Sequence, residues 1–448
     1  MAVIADKCKS AIINVVDLNK DRINAWNSEN FQEIPVFEEG LEEILKKTRN
    51  INLFFSTNVF KEIANADIIF ICVNTPTKNS GIGAGKASDL KWVEKCARDI
   101  AKHSEGHTIV VEKSTVPVKT ARVIEEILKL EMKQSKKTFS VLSNPEFLSE
   151  GNAIEDLKNP DRILIGGEDD KAIKVLSSIY SSWINKSKLI ITNIWSSELS
   201  KLMANAFLAQ RISSMNAISA LCEKTGAVVK DVARAVGIDS RIGREFLASG
   251  PGFGGSCFKK DILNLIYLCE YYGLSEASEY WLNVLKINEW QQTRISNVVI
   301  DKLFGSVSGK KIAILGFAFK ANTNDTRESP AINICNNLIE EGAILTIHDP
   351  RVTEEQIEIE FKNLTKNKNH KTNESKTWKF CKSVDEAIIN SHAVLILTEW
   401  KEYGLLDWHK FEKKMIKPSW VFDTRSIINI QNFRNTNLNL WSIGNNIK

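Results

Sequence analysis

Short runs of branched apolar residues, each closing on a polar or acidic turn, alternate with helical patterns along the first 195 residues. Ile12–Val16 closes on Asp17, and Asp67–Cys72 runs through Val73 into Asn74-Thr75-Pro76-Thr77. Thr108–Glu112 leads to Lys113-Ser114-Thr115-Val116-Pro117, Phe139–Leu142 to Ser143-Asn144-Pro145-Glu146-Phe147, and Arg162–Ile165 to Gly166-Gly167. Apolar strands separated by helices predict a mostly parallel sheet covered on both faces, with Ile12–Asp17 among its buried strands. Ligands of such sheets bind beyond the carboxyl ends of the strands. Asp17, the Asn74–Thr77 turn, Ser114, Thr115 and Glu146 all fall there.

From Ser196, a suitable N-cap, the pattern changes to long helices, and no Gly or Pro occurs until Gly226. Lys201 and Asn205 share one face of the first helix, which also suits a solvated polar surface. Helical patterning runs on to about residue 305, and such a segment is a natural place for subunit contacts. A second strand–helix series follows, with strands at Lys310–Leu315 before Gly316, Ile344–His348 before Asp349, Ala393–Thr398, and Trp420–Phe422 before Asp423. The polar tract Thr365–Lys379 reads as a solvated surface loop. The fold expected is α/β, with two parallel-sheet domains (1–195 and 306–448) joined by a central all-helical segment (196–305).

Inside that segment, Gly250-Pro251-Gly252-Phe253-Gly254-Gly255 leads to Ser256-Cys257-Phe258-Lys259-Lys260-Asp261. Four glycines in six residues are costly to order and suit a backbone that approaches something closely. A thiol beside two lysines is one whose pKa can fall, and the thiolate is the nucleophile. Asp261 lies one turn beyond if a helix begins there. A turn followed by a buried structural cysteine is the alternative. The other seven cysteines stand singly with no metal-ligand spacing, which suits reduced thiols in the cytoplasm. A net charge of +4 with scattered lysines gives no reason to expect nucleic acid or a membrane surface.

The two strand series are distant copies. Asn14–Asp17 parallels Thr346–Asp349, and Ala66–Val73 parallels His392–Leu397. In the second copy Asp349 follows Gly316 by 33 residues; by the same spacing, the glycine matching Asp17 falls ahead of residue 1. A Rossmann domain seats a dinucleotide pyrophosphate on a G-x-G-x-x-G turn, and an acid further on holds the ribose. Asp17, with Arg22 nearby, suits the ribose, whereas the first strand and its phosphate turn are expected to be absent. Gly81–Lys86 follows a polar loop and reads as a surface turn.

Val15-Val16-Asp17, Asn74–Thr77, Glu112–Pro117, Asn144–Leu148, the Lys201/Asn205 helix, Phe253–Phe258, Gly316–Lys320 and Asp325–Ser329 occur in an order that resembles the UDP-glucose/GDP-mannose dehydrogenase family, in its animal-type UDP-glucose 6-dehydrogenase branch. The resemblance implies oxidation of UDP-glucose to UDP-glucuronate with two NAD+, through a thiohemiacetal and a thioester on Cys257. By the same resemblance Lys201 and Asn205 stabilise oxyanions, Asp261 and Glu146 accept protons, and Thr115 positions the hydrolytic water. Asp17, Arg22, Val73–Thr77 (Val73, Asn74, Thr75, Pro76, Thr77), Ser114, Thr115, Glu150 and Arg327 contact NAD. Glu146, Phe147, Leu148, Ser149, Glu150, Lys201, Asn205, Gly250, Phe253, Gly254, Phe319, Lys320 and Arg425 contact the sugar nucleotide, and Arg241 reaches that of a neighbouring subunit. A dimer-built homo-oligomer, hexameric in animals, is implied too. Lys259 departs from the neutral residue of animal relatives and stands where it can lower the sulfur pKa, while Gly250-Pro251 is similar to bacterial members. Two alternatives stay open: a catalytically impaired sugar-nucleotide-binding subunit, because the phosphate turn is missing, and a dehydrogenase for another sugar nucleotide such as GDP-mannose or UDP-N-acetylmannosamine.

Overall fold

The computed structural model describes residues 1–132, 137–367 and 377–445, and the chain divides into two units. The first comprises Met1–Ala204 and Leu263–Tyr272, the second Asn205–Ile262 and Gly273–Lys448.

In the first unit, β1 (Ile13–Val16) pairs in parallel with β2 (Leu53–Ser56). A second sheet runs in sequence order through β3 (Ile68–Ile71), β4 (His107–Glu112), β5 (Thr138–Ser143), β6 (Ile163–Gly166) and β7 (Leu189–Thr192). It is parallel except where β6 meets β5 at Ser143 and Gly166. Alternate residues of β4 serve opposite layers. Val110 packs with Val93, Ala97 and Ile100 of the helix Lys91–His103 and with Ile124 and Leu128 of Thr120–Met132. Ile109 and Val111 pack with Leu176 and Tyr180 of the helix Asp170–Tyr180 on the other face. Each such aliphatic side chain contributes about 1.5–3 kcal/mol on burial, which is why both helix layers stay docked.

The second unit holds the helices Val229–Gly237 and Ser275–Lys302 and one six-stranded parallel sheet. Its strands are β8 (Lys311–Leu315), β9 (Ile344–His348), β10 (Trp378–Phe380), β11 (Ala393–Ile396), β12 (Trp420–Asp423) and β13 (Asn439–Ser442), in the order β10-β9-β8-β11-β12-β13. Ile312–Leu315 and Ala393–Ile396 are fully buried, as strands covered on both faces must be. Two helices, Ile194–Thr225 and Phe258–Tyr271, contribute residues to both units.

Several expectations need correcting. β1 is only half-buried and Ile12 is 75% exposed, because β1 has one neighbour, β2, and is not a central strand. The long helix starts at Ile194, and the Asn193 side chain, rather than Ser196, caps it by accepting the Ser196 N–H at 2.8 Å. Of the tract read as a loop, Thr365–Asn367 closes the helix Glu354–Asn367 and Trp378 and Lys379 belong to β10; 368–376 lie outside the described residues. β2, β7, β10 and β13 add short strands beyond those expected.

The duplication is visible in the second sheet, where β8 lies between β9 and β11. Among the described residues no strand of the first unit plays the part of β8, so β1 and β3 stand in separate sheets. Nor, among them, is any helix long and apolar enough to cross a membrane.

Candidate active site

The first unit carries one set of the expected residues at its strand ends. Asp17 follows β1; its carboxylate accepts the Asn19 N–H at 2.9 Å and lies 3.2 Å from the Arg22 guanidinium. Beyond β3 and β4, Ser114 donates to the Val73 carbonyl at 2.7 Å and Thr75 to the Thr115 carbonyl at 2.8 Å, lacing the Val73–Thr77 and Ser114–Pro117 turns together. Beyond β5, Glu146 turns back to accept the Leu148 N–H at 2.6 Å, and its other oxygen meets the Lys201 ammonium at 3.1 Å. Phe147 lies under two cations, with the Arg162 guanidinium 3.9 Å and the Lys201 ammonium 5.4 Å from its ring centre. Lys201 is 4% exposed, so the solvated-face reading of its helix does not hold.

The two copies use their strand-end acids differently. Asp349, after β9, accepts the backbone N–H groups of Phe317, Ala318, Arg351 and Val352 at 2.7–3.0 Å and the Trp400 indole N–H at 3.3 Å. Those bonds occupy it wholly with its own glycine turn. Asp17 keeps a third of its side chain open, so of the two it is the acid with a face left for a ribose. The donor set around Asp17, Thr75 and Ser114 thus fits the ribose and loop contacts of a dinucleotide. The one G-x-G-x-x-G in the sequence, Gly250–Gly255, follows no strand and so is not a strand-end phosphate turn, and Gly81–Lys86, as expected, forms a turn, with Gly83 packed against Tyr267.

The second unit carries the glycine loop. Its backbone is held by amide side chains: Asn216 accepts the Gly250 N–H and Gln291 donates to the Gly250 carbonyl, both at 2.8 Å. Asn288 takes the Phe253 N–H at 2.8 Å and returns a bond to its carbonyl at 3.1 Å. A Cβ on Gly254 would sit 2.6 Å from the Glu328 carbonyl oxygen and 2.9 Å from Phe319 Cβ, so this position admits only glycine. Gly254→Ala is expected to cost about 2 kcal/mol by overpacking. Urea unfolding measures it, and an unchanged midpoint would show the loop to be looser than described.

The loop delivers Cys257 to the start of the helix Phe258–Tyr271, where Asp261 N–H bonds to the Cys257 carbonyl at 2.9 Å. The thiol is exposed, which removes the reading of a buried structural cysteine. Asp261 is 1% exposed and accepts a hydrogen bond of 2.6 Å from the Asn205 amide. Asn205, itself buried, retains a second N–H for another acceptor. The Lys259 ammonium pairs with Glu328 of the neighbouring loop at 2.9 Å. Arg425 donates to the carbonyls of Leu397 and Phe319 and meets Glu399 at 3.1 Å, beside Gly250. It also borders a cavity of about 430 Å³ lined by the cations Lys230, Arg234 and Arg244 and by apolar residues such as Ile238 and Leu247.

Arg327 and Arg241 are each held in a two-pronged bond by a nearby acid, Asp325 and Asp239 respectively. Lys320 lies over the Phe319 ring, its ammonium 5.6 Å from the centre. Sequence reasoning missed Asn216, Asn288 and Gln291. For Asn288 and Gln291 the signal was present, as amides three apart in the same helical series as Trp281, Val284, Leu285, Ile295 and Val299 of the helix Ser275–Lys302.

Comparison with known proteins accounts for this arrangement. Models of the UDP-glucose/GDP-mannose dehydrogenase family match in order: the NAD binding domain over residues 1–184, the central domain over 195–290 and the UDP binding domain over 313–430. The chain is 52% identical to UDP-glucose 6-dehydrogenase 2 of Arabidopsis thaliana and to UDP-glucose 6-dehydrogenase 3 of Oryza sativa subsp. japonica, in each case over 99% of this chain and 94% of the relative. A solved UDP-glucose dehydrogenase from Pyrobaculum islandicum superposes with a TM-score of 0.81 at 30% identity, covering 96% of this chain and 92% of that one. The UDP-D-ManNAc dehydrogenase of Pyrococcus horikoshii, at 22% identity and a TM-score of 0.79, shares the fold. With three domain models matched in order and whole-length identity to plant enzymes, the chain belongs to the UDP-glucose/GDP-mannose dehydrogenase family and is an NAD-dependent oxidoreductase.

Proposed function

We propose that this protein oxidises UDP-glucose to UDP-glucuronate in two steps through Cys257. The observation that carries the reading is the exposed thiol of Cys257 on a rigidly held glycine loop, one helical turn before a buried Asp261 bonded to Asn205. NAD+, when bound, accepts a hydride at each oxidation. The chain does the rest. An aldehyde at C6 has no hydride to give until a nucleophile adds, and the Cys257 thiolate makes that bond to give a thiohemiacetal. Loss of the second hydride leaves a thioester, which water cleaves to the carboxylate and the free thiol.

Lys201 and Asn205 support the oxygen that gains charge at each tetrahedral stage, one as a desolvated cation and one as an amide donor. Asp261 and Glu146 accept protons, Glu146 while holding Lys201, and Thr115 positions the hydrolytic water. The Asp17 carboxylate, with Arg22 beside it, holds the cofactor ribose, and Val73–Thr77, Ser114, Glu150 and Arg327 make its other contacts. Glu146, Phe147, Leu148, Ser149 and Glu150, with the backbone of Gly250, Phe253 and Gly254, contact the sugar and diphosphate; Phe319, Lys320 and Arg425 hold the UDP, and the cationic cavity beside Arg425 suits its uridine end.

The names of the plant relatives favour UDP-glucose over GDP-mannose or UDP-N-acetylmannosamine as substrate. Large apolar side chains exposed on the helix Ile194–Thr225, Phe207 and Leu221 among them, support a homo-oligomer in which Arg241 reaches the neighbouring subunit's substrate. All eight cysteines are free, which supports a reducing, cytoplasmic setting. The test is NADH formation by the purified chain with NAD+ and a panel of UDP-glucose, GDP-mannose and UDP-N-acetylmannosamine. Two NADH per UDP-glucose with UDP-glucuronate as product is the expected result. UDP-glucose bound without turnover would favour the alternative, a sugar-nucleotide-binding subunit.

A further inference from the structure

Two buried carboxyls meet where β4 ends. Glu112, the last residue of β4, is 1% exposed, and Glu198 on the helix Ile194–Thr225 is 2% exposed. Glu198 has donors: its two oxygens accept the N–H groups of Lys119 at 2.7 Å and Ala121 at 2.8 Å, capping the start of the helix Thr120–Met132. Lys119 there takes a left-handed backbone, with φ of 79°. Glu112 has no donor for either oxygen. With both groups ionised it stays unsatisfied in a dry site; once protonated, its hydroxyl donates to Glu198.

The surroundings allow neither group to move off. Ser143 and Ser197 hydroxyls lie 3.0 Å apart, tying the helix Ile194–Thr225 to β5. A Cβ on Gly166 would come within 2.5 Å of Ser197 Cβ and 2.9 Å of Ile194 Cα. Nor, among the described residues, does a cation pair with either carboxyl. Ile71 and Ser143 flank Glu112 on the neighbouring strands. The adjacent Lys113 points to Asn144 at 3.1 Å, with burial pulling its pKa down to about 8, and the Lys119 ammonium lies over the Tyr272 ring. Desolvation first, and then the charge of Glu198, pushes the Glu112 carboxyl well above the usual range; desolvation raises Glu198 as well.

We propose that Glu112 and Glu198 share a single proton and together clamp the segment Ser114–Lys119 against the helix Ile194–Thr225. They are positioning residues, and the role of the clamp in cofactor binding rests on the reading of Ser114 and Thr115 as cofactor contacts. Folding raises the proton affinity of Glu112, so its contribution is complete below the ordinary glutamic acid range and is lost as pH rises through the pair's own value.

The wild-type chain alone tests the shared proton. Its infrared spectrum at neutral pH should contain the carbonyl band of a neutral carboxylic acid, which disappears at high pH and is missing from Glu112→Gln. Hydrogen exchange across 114–122, corrected for intrinsic rates, should show wild-type protection falling by about tenfold per pH unit above the pair's apparent pKa, the slope of one linked proton. Glu112→Gln, whose amide donates with no proton to lose, should keep its protection. Absence of the band in the wild type, or an equal loss of protection in Glu112→Gln, overturns the proposal. Calorimetric NAD+ affinity separates the two readings. If it follows protection with pH, the clamp serves the cofactor; if band and protection behave as expected while affinity stays flat, the clamp stands and its cofactor role is overturned.

Discussion

Cys257→Ser is expected to lower UDP-glucuronate formation by on the order of 10³-fold or more, while UDP-glucose binding changes by no more than about twofold. The asymmetry follows from geometry. The thiol is exposed at the head of a helix and the loop beneath it is held by Asn216, Asn288 and Gln291, none of which touches the replaced atom. A serine hydroxyl is nearly isosteric but is hardly ionised near neutral pH, so an aldehyde formed in the first oxidation is not captured. Product chromatography and titration calorimetry measure the two quantities. Uronate formation within tenfold of the wild type would remove Cys257 from the nucleophile's role.

Asp349→Ala should be among the most destabilising single changes in the chain, at about 4 kcal/mol. Four backbone N–H groups and the Trp400 indole N–H lose their acceptor at once, in a place that is 4% exposed. An orphaned buried donor costs roughly 1–3 kcal/mol, and water entering the new space offsets part of the sum. Asp349→Asn, which keeps one carbonyl oxygen, should lose about half as much. Urea unfolding followed by Trp fluorescence reads the difference. An Asp349→Ala chain as stable as the wild type would mean that the Gly316 turn does not depend on this acid.

The corresponding acid in the first copy, Asp17, also ends an apolar strand, and spacing alone says only that no glycine stands 33 residues before it. What separates them is whether a glycine turn wraps the carboxylate, and that is settled by tertiary structure. Strands buried on both faces, such as β4, β8 and β11, were plain in the sequence because unbroken branched runs have no other stable home. β2, β10 and β13 were not, because short strands at or near sheet edges mix polar and aromatic residues and are held by backbone pairing more than by composition; β7, a four-residue apolar run, is too short to stand out between two helices.

The glycine loop and its cysteine were equally plain, as four glycines in a helical segment demand a reason. The bond from Asn205 to Asp261 joins residues 56 apart and was invisible. Polar residues at helical spacing are usually solvated, so Lys201 and Asn205, both buried, looked like surface. Glu112 was missed for a related reason: an acid ending a strand gives no sign that a second carboxyl will be pressed against it.

The side chains that grip the glycine loop are all neutral amides. Asn216, Asn288 and Gln291 neither titrate nor attract counterions, so the strength of their grip is the same at pH 6 and pH 9 and in dilute or concentrated salt. The platform beneath the thiol therefore adds no ionisation of its own to the pH–rate profile, which is left to the reacting groups and to the Glu112–Glu198 pair.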